Sequence, residues 1–506
     1  MKRILTLFCV ATVANTAIAQ YEMSSFTSTG RGGATSFVTD YQAAGINPAN
    51  LGWHSEFDEK RFTMGYNELS LSIHSEALTK DDLRAEFKNM IQQKTTADWT
   101  QEEKKYAAQQ FANSGLAING DYGAFGFSFA TEKFGGIAFR INDNVNVYAR
   151  LGEEASDLVF MGKRSSYFDS LVYVNGADTV ILANDNYADT LDAANVLSGF
   201  VGAQSAKMIG ELLDGSRISA SWTREYNMSY GRKIFGKDDV IEIYGGVGLK
   251  FIQGFGMVDV RSENDQLTAF AAISPAFKID FGSAAARNPS SDTTNKGSIP
   301  DPVGKGFGAD FGLNFLIKNK LKIGFAVTNI GSMKWTGNVY TMKDTLVFDT
   351  ESAGLNNYNV LGTISDLSGN DGVFSWDGKK ELKQSLPTLF RTGASIQLGE
   401  IVQVGLDVLV PIVTDAPTSL EKAVIGIGGD VKPIPWLRLS AGLVTGGNTD
   451  YSVALDKYQV SIPVGLTFIA GNGTWEGGIA SRDAVTFFTQ NGPTLSFSTG
   501  FLRFRF

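Results

Sequence analysis

Apolar and polar residues alternate with a period of two in one run after another along this chain. From Phe307 to Ile317 the odd positions read Phe307, Ala309, Phe311, Leu313, Phe315 and Ile317, and Gly308, Asp310, Gly312 and Asn314 occupy the other side. Such alternation puts one set of side chains on each face of a pleated strand. The pattern resumes at Leu321, Ile323, Phe325 and Val327 after a turn of Lys318, Asn319 and Lys320, which predicts a hairpin. It recurs over Phe125–Phe129, Ile241–Leu249, Val402–Val410, Leu437–Leu443 and Val460–Phe468, and about fifteen runs are candidates. So many strands leave costly free edges unless the sheet closes on itself, so the expected fold class is all-β, an antiparallel barrel.

Alternation alone is ambiguous about what the apolar faces meet. In a membrane barrel they meet lipid, whereas in a soluble sandwich they are the core. A single-chain bacterial barrel normally has an even number of strands, with short turns at one end and long loops at the other. Short links near Glu132–Phe134 and Phe235–Asp239, counted forward, and at Lys318–Lys320, Gly399–Glu400, Pro433–Pro435 and Gly471–Gly473, counted back, fall into two sets. The two counts collide between Gly254 and Lys305, leaving fourteen or sixteen strands, with fourteen favoured.

Helical spacing interrupts the strands in the first half. Thr79 with Asp82, followed by Leu83, Phe87, Met90 and Ile91, predicts one helix, and Thr100 with Glu103 opens a second that runs to about Phe111. A third amphipathic stretch is expected from about Thr190 to Leu213. The chain start changes the picture further: Lys2 and Arg3 precede an apolar run, and Ala17-Ile18-Ala19 forms a cleavage site before Gln20, so residues 1–19 read as a secretory signal peptide. The only cysteine, Cys9, would leave with it.

Lys and Arg total 44 and Asp and Glu 53, a formal charge of −9 that becomes about −11 without Lys2 and Arg3. No basic patch suggests nucleic acid as a partner. A serine hydrolase would need its base from His54 or His74, the only histidines, and no nucleophile elbow accompanies them. Phosphate-loop and EF-hand spacings are missing, so the sequence predicts no enzyme, no cofactor and no metal site. At the other end, Leu502, Phe504 and Phe506 alternate with Arg503 and Arg505. A terminal aromatic on an alternating last strand resembles the signal read by the barrel-assembly machinery, and assigns that role to Phe504 and Phe506. Leu495 and Phe497 have the opposite parity, which requires a bulge near Gly500.

Near the expected mature N-terminus stand Gly30-Arg31-Gly32-Gly33-Ala34, then Asp40, Ala43 and Ala44, then Asn47-Pro48-Ala49-Asn50-Leu51. This order resembles the opening of the long-chain fatty-acid transporter (FadL) superfamily of outer-membrane barrels, and especially its PorV-type relatives. The resemblance implies a hatch folded inside the barrel, with Asn47, Pro48 and Ala49 as its turn and Arg31, Gly32 and Gly33 in the stretch before it. The expected organisation is then residues 1–19 as signal peptide, 20–58 as hatch, and 59–506 as transmembrane barrel with helical insertions near 79–112 and 190–214. The expected location is the cell outer membrane, with its lipid as surroundings. The implied function is binding or passive transport of a hydrophobic small molecule. The alternatives are a docking barrel for secreted or surface proteins, as in PorV, and a soluble β-rich adhesin. A continuous apolar cavity behind Asn47 favours transport, and a lumen blocked by polar side chains, with broad apolar loop surfaces, favours docking.

Overall fold

The computed structural model describes residues 25–32, 34–36, 38–54, 60–75, 99–113, 115–184, 193–237, 240–297, 299–355, 374–420, 422–447, 453–455, 458–484 and 494–506. The expected signal peptide and the expected helix at 79–91 lie outside these residues.

Fourteen strands form the wall: β1 Phe62–Ser75, β2 Leu116–Thr131, β3 Gly135–Arg150, β4 Arg217–Lys237, β5 Ile241–Glu263, β6 Gly304–Ile317, β7 Leu321–Trp335, β8 Leu389–Leu398, β9 Val402–Pro411, β10 Val424–Ile434, β11 Leu437–Gly446, β12 Val464–Ala470, β13 Trp475–Ser481 and β14 Thr494–Arg505. Each pairs antiparallel with the next, and β1 pairs with β14, Thr63 opposite Arg505, so the sheet closes. Closure satisfies both edges of every wall strand, which hydrocarbon surroundings demand. The short turns all lie at the end where β1 starts and β14 finishes, and the long connections lie at the other.

The parity conflict between Gly254 and Lys305 has a structural cause. The run Gln266–Ile273 is a strand, but it folds back on the upper part of β5 and pairs with Val339–Lys343. The wall itself continues from β5 directly to β6, with Gly304 opposite Gly254. One candidate strand thus stands above the wall, and the count is fourteen rather than sixteen.

The alternating faces are disposed inside out relative to a water-soluble protein. Phe307 is 69% exposed and Leu249 67% on the outside, joined by Met228, Phe311, Leu406 and Ile479. Facing inward and buried are Asn227, Lys250, Asp310, Asn314, Arg391 and Glu476. The adhesin reading required the apolar faces to be internal, and they are external. Aromatic pairs mark the turn end of the band, where Trp436 stacks on Phe468 at 6.4 Å and Phe134 meets Tyr230 at 5.3 Å. The expected bulge lies in β14: Gly500 opposes Gly478 but Arg503 opposes Glu476, so one extra β14 residue is accommodated beside Gly500.

Above the wall, α1 Gln101–Asn113 starts at the expected capping box. The Thr100 N–H donates to Glu103 Oε2 at 2.7 Å, and the Glu103 N–H donates to the Thr100 hydroxyl at 3.3 Å. Its apolar face, with Ala107, Ala108 and Phe111, packs on α2 Glu153–Met161, a helix the sequence reading had not picked out. The stretch near 190–214 corrects the expectation of a helical insertion. Val196–Phe200 is a strand paired with Ser170–Tyr173, and among the described residues the helical structure there is confined to the short turns Ala193–Asn195 and Ile209–Leu212. Tertiary pairing overrides the helical spacing here, because Gly199 packs so closely that a β-carbon on it would lie 2.1 Å from the Lys163 carbonyl oxygen.

Candidate functional site: the filled lumen

The chain ahead of β1 is short of regular structure, and what it has comes from three side-chain caps. The Ser25 side chain accepts from the Ser28 N–H, Asp40 from Gln42 and Asn47 from Ala49, opening the turns Phe26–Thr29, Tyr41–Ala43 and Pro48–Gly52. Asn47 has the extended backbone (φ −154°, ψ 103°) that a following proline imposes, and Pro48 occupies the first position of its turn, where no N–H is needed. These turns are buried inside the ring of strands.

The wall makes room for them with glycine. A β-carbon on Gly246 would lie 2.3 Å from the Pro48 carbonyl carbon, one on Gly312 2.1 Å from Asn47 Oδ1, and one on Gly428 2.2 Å from the Arg31 carbonyl oxygen. The same holds on the opposite arc, where Gly126 faces the Tyr41 ring at 2.3 Å. The glycines on the inner face of the alternating strands are therefore the seats on which backbone rests. Gly32 also needs its left-handed conformation, at φ +61°.

Buried charges fasten the segment all round. Arg503 of β14 bonds both Asp40 and Glu476. Arg505 and Arg438 approach the same Glu476 at 3.1 and 3.5 Å. Arg31 Nε donates to the Thr27 carbonyl at 2.8 Å and lies 3.2 Å from Asp430 of β10. Asp407 of β9 accepts from the Thr35 N–H at 3.0 Å and from the Thr35 hydroxyl, with Arg391 beside it at 3.6 Å. Lys322 donates to the Ser36 carbonyl at 2.5 Å beneath the Trp53 ring, and Tyr41 and Gln42 both donate to Glu68 Oε1. Removing one member of such a pair strands its partner in a dry setting, typically at about 3–5 kcal/mol.

The residues singled out from sequence are separated by role. Asn47, Pro48 and Ala49 sit against β5 and β6, where Asn47 Nδ2 donates to Asn314 Oδ1 at 3.0 Å. Arg31 and Gly32 sit against β10 and β11, and Gly33 lies outside the described residues. Phe504 is half-buried, and Phe506 is exposed at the turn end, its N–H bonded to the Phe62 carbonyl at 2.8 Å. His74 Nδ1 pairs with the Thr494 hydroxyl at 2.8 Å. The sequence reading missed Glu476, Asp407, Asp430 and Glu68. A lone acid on the polar side of an alternating run reads the same whether it faces water or a buried arginine, and only Arg503 and Arg505, flanking the terminal aromatics, hinted at partners.

The segment divides the interior into two spaces. On the turn side lies a cavity of about 920 Å³, reached by Arg31, Asp430, Arg438, Glu476 and Arg505. On the loop side lies a chamber of about 140 Å³ above Ala44, Gly45 and Ile46. One wall of the chamber is polar, with Asn119, Asn142 and Asn227 beside the charged Asp121, Arg140, Glu225 and Lys250, and the other is apolar, with Ile252, Met257, Met333, Leu386, Leu389 and Leu420. Directly behind Asn47 the lining is polar, so the continuous apolar cavity that would favour transport is not what stands there.

Closed antiparallel strands, an apolar outer band and a polar interior occupied by the chain's own N-terminal segment define a membrane-spanning β-barrel. More narrowly, the chain belongs to the family of unknown function DUF5723, whose model matches residues 193–450, about half its length. No curated protein matches the sequence. Similar solved structures include the toluene transporter TodX of Pseudomonas putida, at 11% identity and a TM-score of 0.39, covering 97% of this chain and 99% of that one. A Pseudomonas aeruginosa FadL homologue is 12% identical with a TM-score of 0.38 and coverages of 96% and 98%. The monoaromatic hydrocarbon channel CymD gives 10%, 0.37, 95% and 97%. At these values the functional reading rests on the geometry of this chain.

Proposed function

We propose that this barrel reaches the outer membrane behind a cleaved signal peptide, carries residues 20–58 as its hatch, and binds and passively passes a hydrophobic small molecule. The observation that supports this reading is the two-sided chamber above Ile46. Its volume of about 140 Å³ is close to that of an apolar cavity that holds one benzene. Its apolar wall of Met257, Met333 and Leu386 would take a hydrocarbon body, and its polar wall, with Asn142, Arg140 and Glu225, would take a polar end. Passage then requires the hatch to yield, because the charges that fasten it leave the lumen shut at the level of Asn47.

The test compares uptake of labelled toluene and labelled long-chain fatty acid in cells with and without the protein, and with Met257→Trp, which fills the chamber. Uptake that depends on the protein and falls in the filled variant, at equal membrane level, supports transport. Unchanged uptake across the panel removes it. A second reading, a docking barrel for secreted or surface proteins, is favoured by one observation, the polar lining behind Asn47. It would then be tested by cross-linking from the loop end.

A further inference from the structure

The outer face of the wall carries a charge pattern that the lumen does not explain. Lys305 of β6 is directly opposite Lys334 of β7, and Lys334 is directly opposite Lys383 on the short strand Leu382–Ser385. Directly paired residues share a face, with β-carbons about 5 Å apart, and like charges so placed destabilise a sheet. All three lysines are exposed. Among the described residues the row meets one carboxylate, Glu381, 2.8 Å from Lys334, so the three cations retain a net positive charge of about two by formal count.

The height of this row is fixed by the aromatics beneath it. Tyr226, Phe251 and Phe307 are consecutive cross-strand neighbours on β4, β5 and β6, with ring centroids 5.8 and 5.4 Å apart. They continue toward the turns into exposed Met228, Leu249 and Phe311. Aromatic girdles of this kind mark the edges of the apolar band of a membrane barrel. Lys305 is two residues beyond Phe307 on the loop side, about 7 Å further along the strand. That is the level of lipid headgroups in the external leaflet, on a surface whose neighbours are lipids.

We propose that Lys305, Lys334 and Lys383 form a binding site for the phosphate of an outer-leaflet lipid, with its acyl chains lying on Phe307, Phe311 and Leu249. The phosphate supplies the counter-charge that the lysine row lacks, and ammonium groups on adjacent strands reach one phosphate together. Each lysine near an anionic headgroup contributes about fivefold to retention, and three contribute about a hundredfold.

The experiment uses the full-length barrel in phosphatidylcholine nanodiscs with and without lipid A, read by native mass spectrometry and by thermal midpoint. The wild type should retain lipid A and melt higher when it is present. The variant Lys305→Gln/Lys334→Gln/Lys383→Gln should lose the retained lipid by about a hundredfold, with its midpoint in pure phosphatidylcholine no lower. Should the triple variant fail to assemble, Lys383→Gln alone, on a short strand above the wall, should weaken retention about fivefold. Equal retention by variant and wild type would overturn the proposal. So would displacement of the lipid by millimolar inorganic phosphate, because that would make the site one for a free anion.

Discussion

Asn47→Ala tests the docking of the luminal segment at its most economical point. The substitution removes the acceptor for the Ala49 N–H at 3.0 Å, a cap contribution of about 1 kcal/mol. It also removes the donor to Asn314 Oδ1 at 3.0 Å and to the Phe325 carbonyl at 3.4 Å. Asn314 is fully buried, so its stranded acceptor costs about 1–3 kcal/mol more. The sum, about 2–4 kcal/mol, shifts the ratio of docked to undocked segment by about 30- to 700-fold. Because Asn314 still donates to Asn50 at 3.0 Å, the wall itself should persist. The assay is single-channel conductance in planar bilayers, together with labelling of Ala44→Cys by a water-soluble thiol reagent in a mature chain expected to hold no other cysteine. Openings and labelling should both rise in Asn47→Ala, and Asn47→Ser, which keeps a cap acceptor without the donor to Asn314, should lie between it and the wild type. If Asn47→Ala conducts and labels as the wild type does, at equal folded fraction, the motif does not hold the segment.

Further expectations concern the ends and the outer helices. Deleting Phe506 should slow the appearance of heat-modifiable, folded barrel in the outer membrane, and wild-type levels at early times would contradict an assembly role for the terminal aromatics. Thr100→Ala should raise amide exchange in α1 about fivefold, the equivalent of about 1 kcal/mol of lost cap. The Thr100 N–H and hydroxyl hold the Glu103 carboxyl below the usual range. The contribution of the Glu103 carboxylate is therefore complete above the ordinary glutamate pKa and disappears as the pH falls through the lowered folded value, so the protection of α1 amides relative to their intrinsic exchange rates should drop only at acid pH. Sequencing the mature chain should give Gln20 as its first residue.

Much of the wall was legible because alternation is dictated locally. Each of Phe307, Phe311 and Leu313 had only to face the same way, and a short turn such as Lys318–Lys320 needed no distant partner. The terminal bulge was legible for the same reason, since Phe497 and Leu502 could not share a face otherwise. What escaped was whatever depended on contacts between remote segments. The run Gln266–Ile273 is apolar and long enough to count as a strand, and only its pairing with Val339–Lys343 puts it above the barrel. The stretch near Thr190 has helical spacing, yet Val196–Phe200 is captured as a strand by Ser170–Tyr173. In the lumen, the Asn47-Pro48-Ala49 turn stood out through the family resemblance, with the constraint of Pro48 on Asn47 in keeping with it, whereas Glu476 and Asp407 became partners of Arg503 and Thr35 only once the chain had closed.

The bond between Asp40 and Arg503 joins side chains 463 positions apart. Such a contact can form only once β14 has paired with β1, so it couples the seating of the luminal segment to closure of the ring.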